Sequence, residues 1–145
     1  MPTTPQLSSP AHRRPRLHRI AGIVRILVGL FFLVPAVTKF AAHAEQAALF
    51  AHWGFPAPGA VAIAVGVLEL VAGSLLALGV AMPLPALVLV VDMIGALVTA
   101  GVADGGQYVV LPAVLLVLLG FVLSQWGGAY QRGVPPAFVQ QRRPS

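Results

Sequence analysis

The sequence predicts an all-α integral membrane protein, a bundle of four transmembrane helices with both termini in the cytoplasm. Three observations carry this. Of 145 residues, 58% are hydrophobic and only 9% charged, against about 25% charged in a soluble domain. The apolar residues fall into blocks that approach the roughly 20 residues a bilayer-crossing helix needs. The basic residues gather at the two ends of the chain, as the positive-inside rule demands of cytoplasmic segments.

The elements follow in order. Residues 1–19 form a basic tail, and Met1 to Pro15, rich in Pro, Ser and Thr without apolar periodicity, read as disordered. The first helix spans about Ile20 to Ala41 and is apolar except for Arg25 and Lys39. A loop from about Ala42 to Pro58 carries His43, Glu45, His52, Trp53 and a Gly-Phe-Pro-Ala-Pro turn. The second helix runs from about Gly59 to Val80, with Pro58 where a helix-starting proline belongs. Met82 to Pro85 make an uncharged turn into the third helix, about Leu84 to Val102. A Gly-rich turn containing Asp104 leads to the fourth, about Tyr108 to Trp126, and residues 127–145 form a second basic tail. Residues 20–126 thus make one membrane domain.

Seven arginines lie in the tails: Arg13, Arg14, Arg16, Arg19, Arg132, Arg142 and Arg143. Beside membrane helices such charge faces the cytoplasm and anionic lipid rather than nucleic acid. The segment Ala42-His43-Ala44 before Glu45 resembles a signal-peptide cleavage site. The apolar run ahead of it exceeds the ~7–15 residues of a signal peptide and holds two cations, which favours a retained helix. With no cysteine, the chain has no disulfide framework and no thiol redox chemistry of its own.

The informative residues are the ionisable ones inside apolar blocks, because a charge at mid-membrane costs ~2.5–3.5 kcal/mol even on insertion scales. Glu69 and Asp92 lie about 16 and 12 Å into their helices at ~1.5 Å per residue. Arg25 lies nearer the cytoplasmic end, and Lys39 near the outer end, where it can reach water. Helical spacing aligns Arg25 and Lys39 with Gly29, Glu69 with Gly66 and Gly73, and Asp92 with Gly95. Small residues mark close helix contact in membranes. The reading is a buried polar seam of Arg25, Glu69, Asp92 and Lys39 beside packing glycines Gly29, Gly66, Gly73 and Gly95. Arg25 is expected to pair with Glu69 or Asp92, between which spacing does not choose, and either simply to hold the bundle together or to leave an acid free to handle protons, a small anion or a quinone head group. The fourth helix carries no charge and packs outside the seam. His43, Glu45 and His52 match no standard zinc spacing, so no metal site is expected. Trp53, Phe55, Tyr108 and Trp126 suit an interfacial aromatic belt.

These residues also carry a resemblance. Arg25-Ile-Leu-Val-Gly29, ending at Lys39-Phe40, is similar to the first helix of the DoxX family. Phe50-Ala-His-Trp-Gly54-Phe55-Pro56-Ala-Pro58 resembles its external loop, and Glu69-Leu-Val-Ala-Gly73 its second-helix signature. The resemblance covers about Arg19 to Trp126. Pro35 and Ala36 depart from it, standing where the family often has His-Gly, and a His commonly found near Ala103 is absent. It implies a four-helix bundle in the bacterial cytoplasmic membrane. Some family members are subunits of thiosulfate:quinone oxidoreductase or of other membrane oxidoreductase complexes. The expected role is an accessory or anchoring subunit that binds no redox cofactor of its own, contacts quinone and has a redox-complex protein as partner. The alternatives are a proton-coupled transporter using the seam, or a membrane scaffold or assembly helper.

Overall fold

The computed structural model describes residues 14–130, and among these every regular element is helical. The elements are α1 (Arg14–Ala41), α2 (His43–His52), α3 (Pro58–Leu78), α4 (Leu84–Val102) and α5 (Val110–Tyr130). The expectations for residues 1–13 and 131–145 lie outside the described residues. Helices α1, α3 and α4 are long and apolar enough to cross a membrane, and the apolar stretch Val110–Trp126 of α5 is shorter.

Three differences from the sequence expectation stand out. Helix α1 begins at Arg14, so residues 14–19, expected in the tail, are helical. The segment after α1 is not a loop but the ten-residue helix α2. The fourth apolar helix starts at Val110, which puts Pro112 in its first turn, where proline disturbs no backbone hydrogen bond.

Helix α2 has a local cause. Its sequence, His43-Ala-Glu-Gln-Ala-Ala-Leu-Phe-Ala-His52, is rich in strong helix formers and carries Glu45 in the first turn, opposite the positive end of the helix dipole. It ends in a Schellman arrangement: Gly54 N–H donates to Ala51 O at 3.0 Å, and Phe55 N–H to Phe50 O at 3.0 Å. Gly54 supplies the left-handed backbone this requires, at φ 79°. The hydrophobic contact that accompanies such a cap is Phe55 on Phe50, with ring centroids 5.4 Å apart.

The bundle is organised by an antiparallel contact of α1 with α3. At its centre Gly29 faces Gly73. A Cβ on Gly29 would come within 2.6 Å of Gly73 O and of Ala77 N, and one on Gly73 within 2.9 Å of Gly29 O. Only glycine allows two helix backbones this close. Phe32, Leu76, Leu89 and Leu119 are the largest fully buried side chains and continue the core into α4 and α5. The outer faces expose Ile23, Leu27, Leu30, Val34, Val67, Val91 and Val117. Such wide apolar exposure is unfavourable in water and suits hydrocarbon.

Candidate functional site

The register of α1 on α3 decides which charges meet. Lys39 packs on α3 beside Gly66, where an added Cβ would lie 3.1 Å from Lys39 Cβ. One turn further along α3, Glu69 Oε2 accepts a hydrogen bond from Lys39 Nζ at 2.6 Å. Lys39 is 8% exposed and Glu69 3%. This corrects the expectation that Arg25 pairs with Glu69 while Lys39 reaches outer water. Arg25 precedes Lys39 by fourteen positions, or ~21 Å along the helix. Lys39 stays dry because α3 extends beyond the end of α1 and α2 folds back over it. Helix starts are therefore poor markers of depth.

Arg25 finds a different environment. Its guanidinium packs on Gly79, the C-cap of α3, at φ 73°. The carbonyl end of a helix carries partial negative charge and favours a cation there. Arg25 Nε is buried with no hydrogen-bond partner. Among the described residues the ion pairs are Lys39–Glu69 and His52–Asp104, and Arg25 takes part in neither. The four residues of the expected seam therefore form two places, not one: Arg25 by itself, and Lys39 with Glu69 and Asp92.

The second place is a cavity of about 290 Å³ between α1, α2, α3 and α4. Lys39, Glu69 and Asp92 supply its charge, and Asp92 Oδ2 is buried without a hydrogen-bond partner. Lys39 also acts electrostatically on Asp92, and Asp92 on Glu69. One cation thus serves two carboxylates. Phe50, Trp53 and Phe55 cover the cavity from α2 and the turn after it, and Met93, Ala96 and Thr99 line it from α4. Thr99 Oγ1 is already committed to its own helix, donating toward Ala96 O at 3.0 Å or Gly95 O at 3.1 Å. Among the described residues, none of α5 lines it.

The aromatic cover is fixed in place. Phe50 and Trp53 meet edge to face with centroids 5.4 Å apart. Trp53 Nε1 donates to Asp104 Oδ2 at 3.0 Å, and His52 Nε2 lies 3.4 Å from Asp104 Oδ1. Asp104, in the turn between α4 and α5, thereby ties α2 to the opposite side of the bundle. Sequence reasoning placed Trp53 in an interfacial belt and gave Asp104 no role. The signal it passed over was the helix-forming run before Gly54, which turns Phe50 and Trp53 inward.

The glycines divide similarly. Gly29, Gly66 and Gly73 lie at the α1–α3 contact. Gly95 does not pack: a Cβ there would meet nothing within 4 Å, and Gly95 lines the cavity instead. No metal cluster of His, Cys, Asp or Glu occurs among the described residues. His43, with Nδ1 buried and unpartnered, packs beside Gly59 at the start of α3.

The DoxX family model matches residues 20–102, which hold α2, α3, α4 and the membrane part of α1, hence every element that lines the cavity. The match stops short of α5, which the resemblance seen in the sequence had included. No curated protein and no solved structure matches the chain. With three helices fit to cross a bilayer and a family match over more than half its length, this multi-pass membrane protein belongs to the DoxX family.

Proposed function

We propose that the protein is a non-catalytic subunit of a quinone-linked redox complex in the bacterial cytoplasmic membrane, holding a quinone or quinol head group in the cavity between α1 and α4. The observation that carries this is that one mostly apolar and aromatic space holds both Lys39 Nζ, which donates to Glu69, and a buried acceptor, Asp92 Oδ2, that has no hydrogen-bond partner among the described residues. A few polar groups in an apolar pocket are the usual make-up of a small-molecule site. A quinone carbonyl can accept from the Lys39 ammonium, and a quinol hydroxyl can donate to Asp92. Phe50, Trp53 and Phe55 offer faces for a flat ring. In this reading the electrons pass to and from a partner protein.

The accompanying arrangement is four membrane spans, α1, α3, α4 and α5, with both termini cytoplasmic and α2 on the outer side. The tail arginines support that orientation. The transporter reading has less support, because Arg25 and the Lys39 cavity lie ~21 Å apart along α1 rather than along one polar path.

The test is saturable quenching of Trp53 fluorescence by a short-chain quinone, in a Trp126→Phe background that leaves Trp53 as the sole tryptophan. Losing a charge-assisted hydrogen bond costs about 1.5–3 kcal/mol, so Asp92→Asn and Lys39→Met should each weaken binding about tenfold or more. Unchanged affinity in both variants would overturn the assignment. Co-purification of a redox protein from native membranes in mild detergent tests the partner.

A further inference from the structure

Fourteen positions before Lys39 on α1, Arg25 lines a second cavity of about 240 Å³ together with Ala21, Gly22, Met82, Val122, Gln125 and Trp126. We infer that this cavity binds the phosphate of an anionic phospholipid from the cytoplasmic leaflet, with Arg25 as its cation and Gln125 as a neutral donor. The inference rests on the orientation given above, not on the quinone reading.

Several independent features agree. Among the described residues the cavity is lined by a guanidinium and no carboxylate. Arg25 has a buried Nε without a partner, while the acids of the membrane interior are gathered ~21 Å away along α1 around Lys39. The planar guanidinium suits the oxygens of a phosphate, which it can hold through two parallel hydrogen bonds. The small residues Ala21 and Gly22 keep the space before Arg25 clear, and a Cβ on Gly22 would meet nothing within 4 Å. Gln125 comes from α5, so a bound phosphate would join α1 to α5.

The position selects a lipid over free phosphate. Arg25 lies ~9 Å beyond Arg19 along α1, inside the apolar stretch, and Val122 and Met82 add apolar wall to the cavity. A free phosphate would have to shed its water to arrive there. The Arg25 guanidinium reaches the end of α3 at Gly79, where a lipid headgroup at the interface can meet it while its acyl chains lie along the exposed apolar faces of α1. Basic pockets between helices on the cytoplasmic side are the usual place for such headgroups.

The experiment uses the full chain in a non-ionic detergent, melted alone, with phosphatidylglycerol, with phosphatidylcholine, and with inorganic phosphate. Phosphatidylglycerol should raise the melting temperature of the wild type, and the other two additions should not. The rise should vanish in Arg25→Met. Because Arg25 also packs on Gly79, that variant could fold poorly. Gly22→Leu therefore serves as a second variant: it has room to fold, fills the cavity mouth, and should lose the same response. A phosphatidylglycerol response kept in either variant, absent from the wild type, or matched by phosphatidylcholine overturns the site. A response to inorganic phosphate overturns the lipid as its occupant.

Discussion

Lys39 and Glu69, thirty positions apart, form a buried ion pair at 2.6 Å that fixes the outer end of α1 against the middle of α3. The pair is not needed for a hairpin of two apolar helices, since the glycine contact at Gly29 and Gly73 already supplies close packing. It sets a charge in the cavity that Asp92 also lines.

Removing one partner of a buried pair typically costs ~3–5 kcal/mol, largely from the stranded charge. Lys39→Met should therefore lower the melting temperature in detergent sharply. Lys39→Met with Glu69→Gln should recover much of the loss, because no lone carboxylate remains at that contact. Glu69→Gln should give no such recovery to Arg25→Met, since Arg25 lies ~21 Å from Lys39 along α1. A rescue of Arg25→Met equal to that of Lys39→Met would contradict this register of α1 on α3.

The glycine contact makes a steric prediction. Forcing a methyl group into a close-packed backbone contact costs about 1–3 kcal/mol. Gly29→Ala should lower stability by that order, and Gly73→Leu by more. Gly95→Ala should be tolerated, as should a Leu at the exposed Val71. Thermal melts of the four variants check this, and equal losses at Gly29 and Gly95 would show that the α1–α3 contact is not close-packed.

Gly79 has two reasons to be glycine. Its φ is 73°, and a Cβ would collide with the Arg25 guanidinium. A left-handed backbone costs an L residue about 1–2 kcal/mol before any clash. Gly79→Ala should thus destabilise more than Gly105→Ala, where φ is 59° but nothing lies within 4 Å. The comparison is one of melting temperatures, and the difference between the two reports the Arg25 contact.

Asp104 holds α2 over the cavity through Trp53. Hydrogen bonds to a charged group contribute about 1.5–3 kcal/mol. If the tie limits the opening of α2, Asp104→Ala should speed hydrogen exchange of the Gln46 to Trp53 amides about tenfold or more and leave the α1–α3 amides unchanged. Exchange across residues 46–53 at the wild-type rate would mean that the aromatic contacts alone keep α2 in place.

The membrane arrangement is tested by reporters. One active only in the cytoplasm should work when fused after Arg132, and one active only outside should work within His43 to Trp53. A C-terminal reporter active outside would exclude four spans with both ends inside. Intact protein should retain its first helix, and a mature chain beginning at Glu45 would instead mean cleavage.

What the sequence determined by itself was whatever depends on local composition. Apolar blocks of helical length gave α3 and α4 nearly to the residue, and gave α1 and α5 except at their ends. Helical spacing put Gly29, Gly66 and Gly73 on one face each, and short family motifs identified the family. What the tertiary structure decided was depth and partnership. Counting from helix starts set Glu69 and Asp92 opposite Arg25, but α3 begins well beyond the end of α1, so Glu69 stands level with Lys39. Gly95 shares its spacing with the packing glycines and yet faces a cavity, because periodicity defines a face without saying what lies across from it. Helix α2 was locally encoded in its helix formers and Gly54. Its role as a cover was not, because the hydrogen bond from Trp53 to Asp104 joins residues fifty-one positions apart. Such pairings depend on how far one helix slides along another, and that is set by the summed packing of glycines, aromatics and charges rather than by any single segment.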